Sequence, residues 1–154
     1  MLFRSLGLDR AAFYDERHVA LVGVGLCYPG RLPQGGDAPP RPECAPRWHP
    51  SLRAALSNIE LTLLVGQYAQ TYYLAHRCKR NMTETVRAWR EYLPEFIPTP
   101  HPSWRTTAWL KRNPWYEREL VPELRGRLQK LGLGAWHHAK TTEGQRVPAT
   151  RANG

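Results

Sequence analysis

No run of the 154-residue chain is apolar for the roughly 20 residues that a bilayer span requires. The N-terminal MLFRSLGLDRAAF is too short and too soon charged for a secretory signal. A soluble cytoplasmic protein with no membrane partner is therefore expected. Acidic side chains are scarce, 13 against 22 Lys and Arg, which leaves a formal charge of +9 and a pI near 9.9. That balance favours an anionic partner. Cysteine is also sparse. Cys27, Cys44 and Cys78 are an odd number without a secretory signal, which argues against a structural disulfide framework and leaves metal ligation or plain burial. There is no internal repeat.

Apolar patterning carries the fold. Residues 18–26 (HVALVGVGL), 60–65 (ELTLLV) and 95–100 (EFIPTP) are short, nearly continuous apolar runs of the kind found in strands covered on both faces. Helical patterns lie at 51–59, 67–76 and 83–93, the last announced by Asn81 with Glu84 three residues later, a capping box. A final helix is framed by Asn113 as N-cap, Pro114 at its first position and Gly132 past its end. Its stripe is Tyr116, Leu120, Leu124, Leu128 and Leu131, and Pro122 is expected to kink it. This order implies an α/β three-layer sandwich, a short and mostly parallel sheet flanked by helices. The expected domain covers residues 1–132. Residues 133–154 read as a polar, disordered tail. Residues 28–47 hold six of the 14 prolines and read as a long structureless loop. Cys27 and Cys44 would pin its two ends if both thiolates held one metal centre.

Two features carry chemistry. His101 sits in a Pro-His-Pro-Ser turn after the third run, at a strand's C-terminal end, where open α/β sheets bind ligands. Pro100 and Pro102 restrict the imidazole, which in such a corner donates to charge developing on a substrate oxygen or merely ties down the turn. Trp104, Arg105, Trp109, Lys111 and Arg112 follow at once. Cations neutralise phosphates and a flat side chain wedges into a base stack, so nucleic acid is the first partner to test. The alternative for Trp109 and Trp115 is packing of the last helix onto the sheet, and for Trp115 packing is the expectation.

HPSWR, with LPEFIPTP before it and WLKRNPWYE after it, resembles the second signature of the uracil-DNA glycosylase superfamily. FYDERHVALVGVGLCYPG, PPRPECAPRWHP, LTLLVGQYAQTYYL and TETVRAWREYLPEF resemble further blocks of a bacterial branch related to the iron–sulfur type, so that the likeness spans about residues 2–131. The resemblance implies a monomeric, nucleoid-associated repair enzyme. Such an enzyme flips uracil from DNA and hydrolyses its N-glycosidic bond. It implies that His101 donates to the departing base, that Ser103 touches phosphate, and that Arg105, or else Trp104, fills the gap left by the flipped nucleotide. It also implies that Cys27 and Cys44 supply two of the four thiolates of a [4Fe-4S] cluster.

The chain departs from that pattern in several places. The first signature, its acidic or amide water-positioning residue, the aromatic that stacks on uracil and a Cys-x-x-Cys pair have no counterpart. Gly23 stands where many members carry a base-reading Asn. The family's first, central strand has no equivalent either, and it would lie between the runs at 18–26 and 60–65. An N-terminally incomplete and inactive fragment is therefore expected. Two readings compete with a glycosylase: a catalytically inactive nucleic-acid-binding module, and a zinc-stapled domain drawing on Cys27, Cys44, Cys78, His49 or His76.

Overall fold

A computed structural model describes residues 6–103 and 106–133. The tail beyond residue 133 lies outside the described residues. Two of the three expected strands form. β1 (Thr62–Val65) and β2 (Phe96–Thr99) run parallel, with Leu63 opposite Ile97 and Leu64 opposite Pro98. The carbonyls of Glu95 and Thr99 face β1, accepting from Thr62 at 3.0 Å and Gly66 at 2.9 Å. Alternation then turns the nitrogen of Pro98 to the outer edge, where its missing donor costs no ladder bond.

Side chains alternate across this sheet into two apolar clusters, so helices cover both faces. Leu63 and Ile97 enter the larger cluster, with Val86, Trp89, Trp115, Tyr116, Leu120, Leu124 and Leu128. Leu64 and Phe96 enter the smaller one, with Leu74 and Tyr92. The helices among the described residues are α1 (Arg10–Phe13), α2 (Cys44–Ala55), α3 (Gln67–Leu74), α4 (Met82–Arg87), α5 (Thr106–Arg112) and α6 (Val121–Lys130). The α/β class with a short parallel sheet is thus as expected. No helix among the described residues is long and apolar enough to cross a membrane.

Residues 18–26 do not form a strand. Their backbone is irregular and bends at 24–27, and Leu21 and Val22 are exposed. The run has the composition of a strand but finds no ladder partner, so its polar backbone is held piecemeal. His49 Nε2 lies 3.1 Å from the Gly23 carbonyl, and the Leu26 amide donates to Cys44 Sγ at 3.2 Å. The proline-rich loop is also shorter than expected. Helix α2 takes over at Cys44, because Pro46 falls in its first turn where no intrahelical donor is needed. Before that point, an Arg31–Asp37 bridge folds residues 30–38 back on themselves.

The expected helix at 83–93 divides into α4 and a 3-10 turn, Trp89–Tyr92. Asn81 caps α4 as expected, accepting from the Glu84 amide at 2.9 Å. Asn113 does not cap the last helix. Its Oδ1 accepts from the Trp115 indole at 3.1 Å, and its Nδ2 donates to the Trp109 carbonyl at 2.8 Å. In place of a simple kink at Pro122, a π turn (Tyr116–Leu120) precedes α6 and absorbs the missing donor.

Leu124 is fully buried in the larger cluster. Leu124→Ala is expected to cost about 2–5 kcal/mol of unfolding free energy, read from urea titration. Burial pushes the Tyr116 phenol from its ordinary 10.0 up to about 12. The fold therefore favours the neutral phenol, while the unfolded chain ionises near pH 10. Stability from this group is complete below pH 10 and falls by up to about 1.4 kcal/mol per pH unit as pH rises toward 12. Tyr116→Phe should flatten the stability profile by that amount between pH 10 and 12.

Candidate active site

Both strands end at one corner, and the residues that close it come from three elements. β1 runs into Gly66, whose φ of 81° and ψ of 171° belong to a region open only to glycine. Gly66 caps α3, accepting from the Gln70 amide at 3.3 Å. The positive end of α3 thus opens at the C-terminal edge of the sheet, an arrangement that favours negative charge. Beneath it lies Gln70, only 2 % exposed, whose Nε2 donates to the Thr99 carbonyl at 2.9 Å and the Leu64 carbonyl at 3.3 Å. One amide thereby ties the ends of both strands together.

β2 continues through the buried Pro100 into His101. The ring stands over Gly66: a Cβ added there would lie 3.2 Å from His101 Cβ and 3.7 Å from Cδ2. A larger residue in place of Gly66 would displace the histidine. His101 is exposed, and among the described residues no hydrogen bond holds either ring nitrogen. Its backbone is fixed by contrast. The His101 carbonyl accepts from the Ser103 amide at 2.8 Å and from the Thr106 hydroxyl. Ser103 Oγ lies 3.3 Å from Thr106 Oγ1, and the Ser103 carbonyl accepts from the Thr106 amide at 3.0 Å. The turn is rigid while the imidazole edge stays open to a ligand.

Helix α5 leaves this turn directly and carries Lys111 and Arg112, both exposed, in its last turn, where cations suit the helix dipole. Trp104 and Arg105 lie outside the described residues. Trp109 turns inward: its indole donates to Thr83 Oγ1 at 2.7 Å, and its ring meets Trp115 and Tyr116 edge to face. It packs α5 against the core and is not free to stack on a base. Trp115 packs as expected.

The sequence reading passed over Gly66, Gln70 and Thr106. A strand running straight into Gly-Gln was the available signal for the first. Gln70 gave none, since a helical glutamine is ordinarily solvated. Tyr68, in the first turn of α3 and 57 % exposed, is a further aromatic at this edge.

Cys27 is exposed and follows Leu26, whose amide meets the sulfur of Cys44, buried at the start of α2. Among the described residues no three metal-ligating side chains converge anywhere. Two sulfurs are half of what a four-iron cluster takes, and Cys78, the only other cysteine, donates instead to the Gln70 carbonyl at 3.3 Å. The donor set does not fit such a cluster. His49 is no free ligand either, since Nδ1 meets Tyr73 Oη at 2.6 Å and Nε2 meets the Gly23 carbonyl.

A family model described as the Uracil DNA glycosylase superfamily matches residues 1–125. The chain belongs to that superfamily. Membership in the uracil-DNA glycosylase superfamily makes DNA the partner class and glycosylase-type repair the activity class.

Gly66→Ala is expected to destabilise the fold by about 1–3 kcal/mol from backbone conformation alone. It should also shift the His101 ring resonances in a histidine-selective NMR spectrum, while those of His18, whose ring meets Asp15, stay in place.

Proposed function

We propose that the chain holds a deaminated base, uracil foremost, drawn out of DNA at the C-terminal edge of the sheet, and that His101 donates a hydrogen bond to the base oxygen as the N-glycosidic bond breaks. The observation that carries this reading is the seating of His101: a turn locked by Ser103 and Thr106, a ring set on Gly66, and an imidazole edge with no hydrogen-bond partner among the described residues. A pre-aimed donor of this sort typically supplies about 3–4 kcal/mol of transition-state stabilisation. Lys111 and Arg112 neutralise phosphates beside it, Ser103 offers its hydroxyl to one, and Trp104 or Arg105 enters the stack. Tyr68 presents a ring face on which a base or sugar rests.

A second reading is a DNA-binding module that no longer cleaves. One specific feature favours it: among the described residues no carboxylate lies in hydrogen-bond contact with His101, Ser103 or Thr106 to orient a water. Such a general base typically contributes about 10²–10⁴-fold. The first reading predicts slow turnover by this chain and the second none. They diverge on what His101 does.

Two assays on the same protein separate them, excision of uracil from a labelled oligonucleotide under single-turnover conditions and affinity for the same DNA. With glycosylase chemistry, His101→Ala lowers the excision rate by about 10²-fold and leaves affinity within about twofold. Lys111→Ala with Arg112→Ala weakens binding and lowers the salt slope of log Kd by about 2. No measurable excision, with affinity intact, leaves the binding module. Failure to bind DNA at low salt sinks both.

A further inference from the structure

The two cysteines that fall short of a cluster sit at one of the places where the irregular segment 18–27 is fastened to the rest of the fold. The Leu26 amide donates to Cys44 Sγ at 3.2 Å, and Cys27 is the next residue, so its Cα lies one peptide step, about 3.8 Å, beyond that of Leu26. A second contact keeps the two stretches side by side: a Cβ added at Gly25 would lie 3.1 Å from Pro40 Cβ. Cys27 is exposed and Cys44 is 6 % exposed at the head of α2. One thiol is open to a reagent in solution, and the other is buried on α2 beside the amide of Leu26.

We propose that Cys27 and Cys44 form a reversible redox latch, a disulfide made by exchange with a low-molecular-weight disulfide such as oxidised glutathione. In the first step the Cys27 thiolate attacks one sulfur of the reagent. Its S–S bond breaks, a mixed disulfide forms on Cys27, and one glutathione thiolate leaves. In the second step the Cys44 thiolate attacks the Cys27 sulfur and expels the second glutathione thiolate. Two protein thiols are oxidised, one glutathione disulfide is reduced to two thiols, and the protons of the protein thiols end on them.

The closed latch joins the ends of the proline-rich loop and clamps residues 23–27 to α2, whose His49 already holds the Gly23 carbonyl. Cys78 stays out of the exchange. Its S–H is engaged with the Gln70 carbonyl, and burial pushes its thiol up. The latch does not depend on the glycosylase reading.

The test uses the full chain in reduced form, treated anaerobically with oxidised glutathione, alkylated, digested and analysed by mass spectrometry. The expected product is a Cys27–Cys44 linked peptide with Cys78 alkylated. Closing a loop of about this length should raise Tm by roughly 5–10 °C, and dithiothreitol should reverse the rise. Cys27→Ser, at an exposed position, should abolish both effects, whereas Cys78→Ser should keep them. Overturning results are a glutathione adduct on Cys27 that never resolves, a linkage through Cys78, no reaction at any glutathione ratio, or a protein that takes up iron and sulfide on the two cysteines and is then inert to the reagent.

Discussion

One side-chain amide, that of Gln70, holds the two strands together where the chemistry is placed. A sheet of two four-residue strands is marginal alone, and its C-terminal end is where a parallel pair would fray. Gln70 Nε2 reaches the Leu64 and Thr99 carbonyls from inside the protein, and the Gly66 amide meets the Thr99 carbonyl from β1. The arrangement leaves Gln70 Oε1 and Thr99 Oγ1 buried without partners among the described residues. Each orphan costs about 1–3 kcal/mol. A protein that carries two of them at one corner is giving up stability for a fixed backbone, and that backbone aims His101.

The rest of the architecture supplies the stability this corner forgoes. The sheet lies between two apolar clusters, and the larger receives three edge-to-face aromatic contacts among Trp109, Trp115 and Tyr116. Such contacts add about 0.5–1.5 kcal/mol each beyond the area they bury. Arg53 of α2 does a similar job on the other face, with its guanidinium 5.6 Å from the Tyr73 and Phe96 ring centres and Nη2 3.0 Å from Glu95 Oε1. The other ion pairs among the described residues are mostly exposed, and such pairs each contribute little. Apolar burial therefore decides stability, and charge is left to the surface.

How much of this was legible depended on whether a signal is local. The β1 and β2 runs, the Asn81 cap and the Leu120–Leu124–Leu128 stripe are patterns of a few residues, and each formed where its period placed it. The run at 18–26 has the same composition as β1 but no neighbour to pair with, and no one-dimensional pattern reports whether a neighbour exists. Asn113 has a capping residue's chemistry, yet an indole two residues away competes for its oxygen. The candidate corner divides the same way. His101 was visible because two prolines bracket it. Its supports were not, since Gly66, Gln70 and Thr106 acquire their roles only when β1, α3 and α5 converge.

Recognition and bond cleavage make separable demands, and this site meets them unequally. On the proposed reading, holding an extruded base takes a shaped edge, a positive helix end, a donor and a phosphate clamp, for which the Gly66 corner, the start of α3, His101 and the exposed Lys111 and Arg112 are the candidates. Hydrolysis needs in addition a water held against the sugar by an acceptor, and no carboxylate among the described residues is bonded into this corner. Stabilising the leaving base and activating the water are independent contributions to one barrier, so an enzyme retaining only the first still favours departure of the base. Its rate then depends on unassisted water. On the proposed reading, the exposed imidazole on its glycine seat carries the first contribution, and binding of DNA around it is a separate demand that does not require the second.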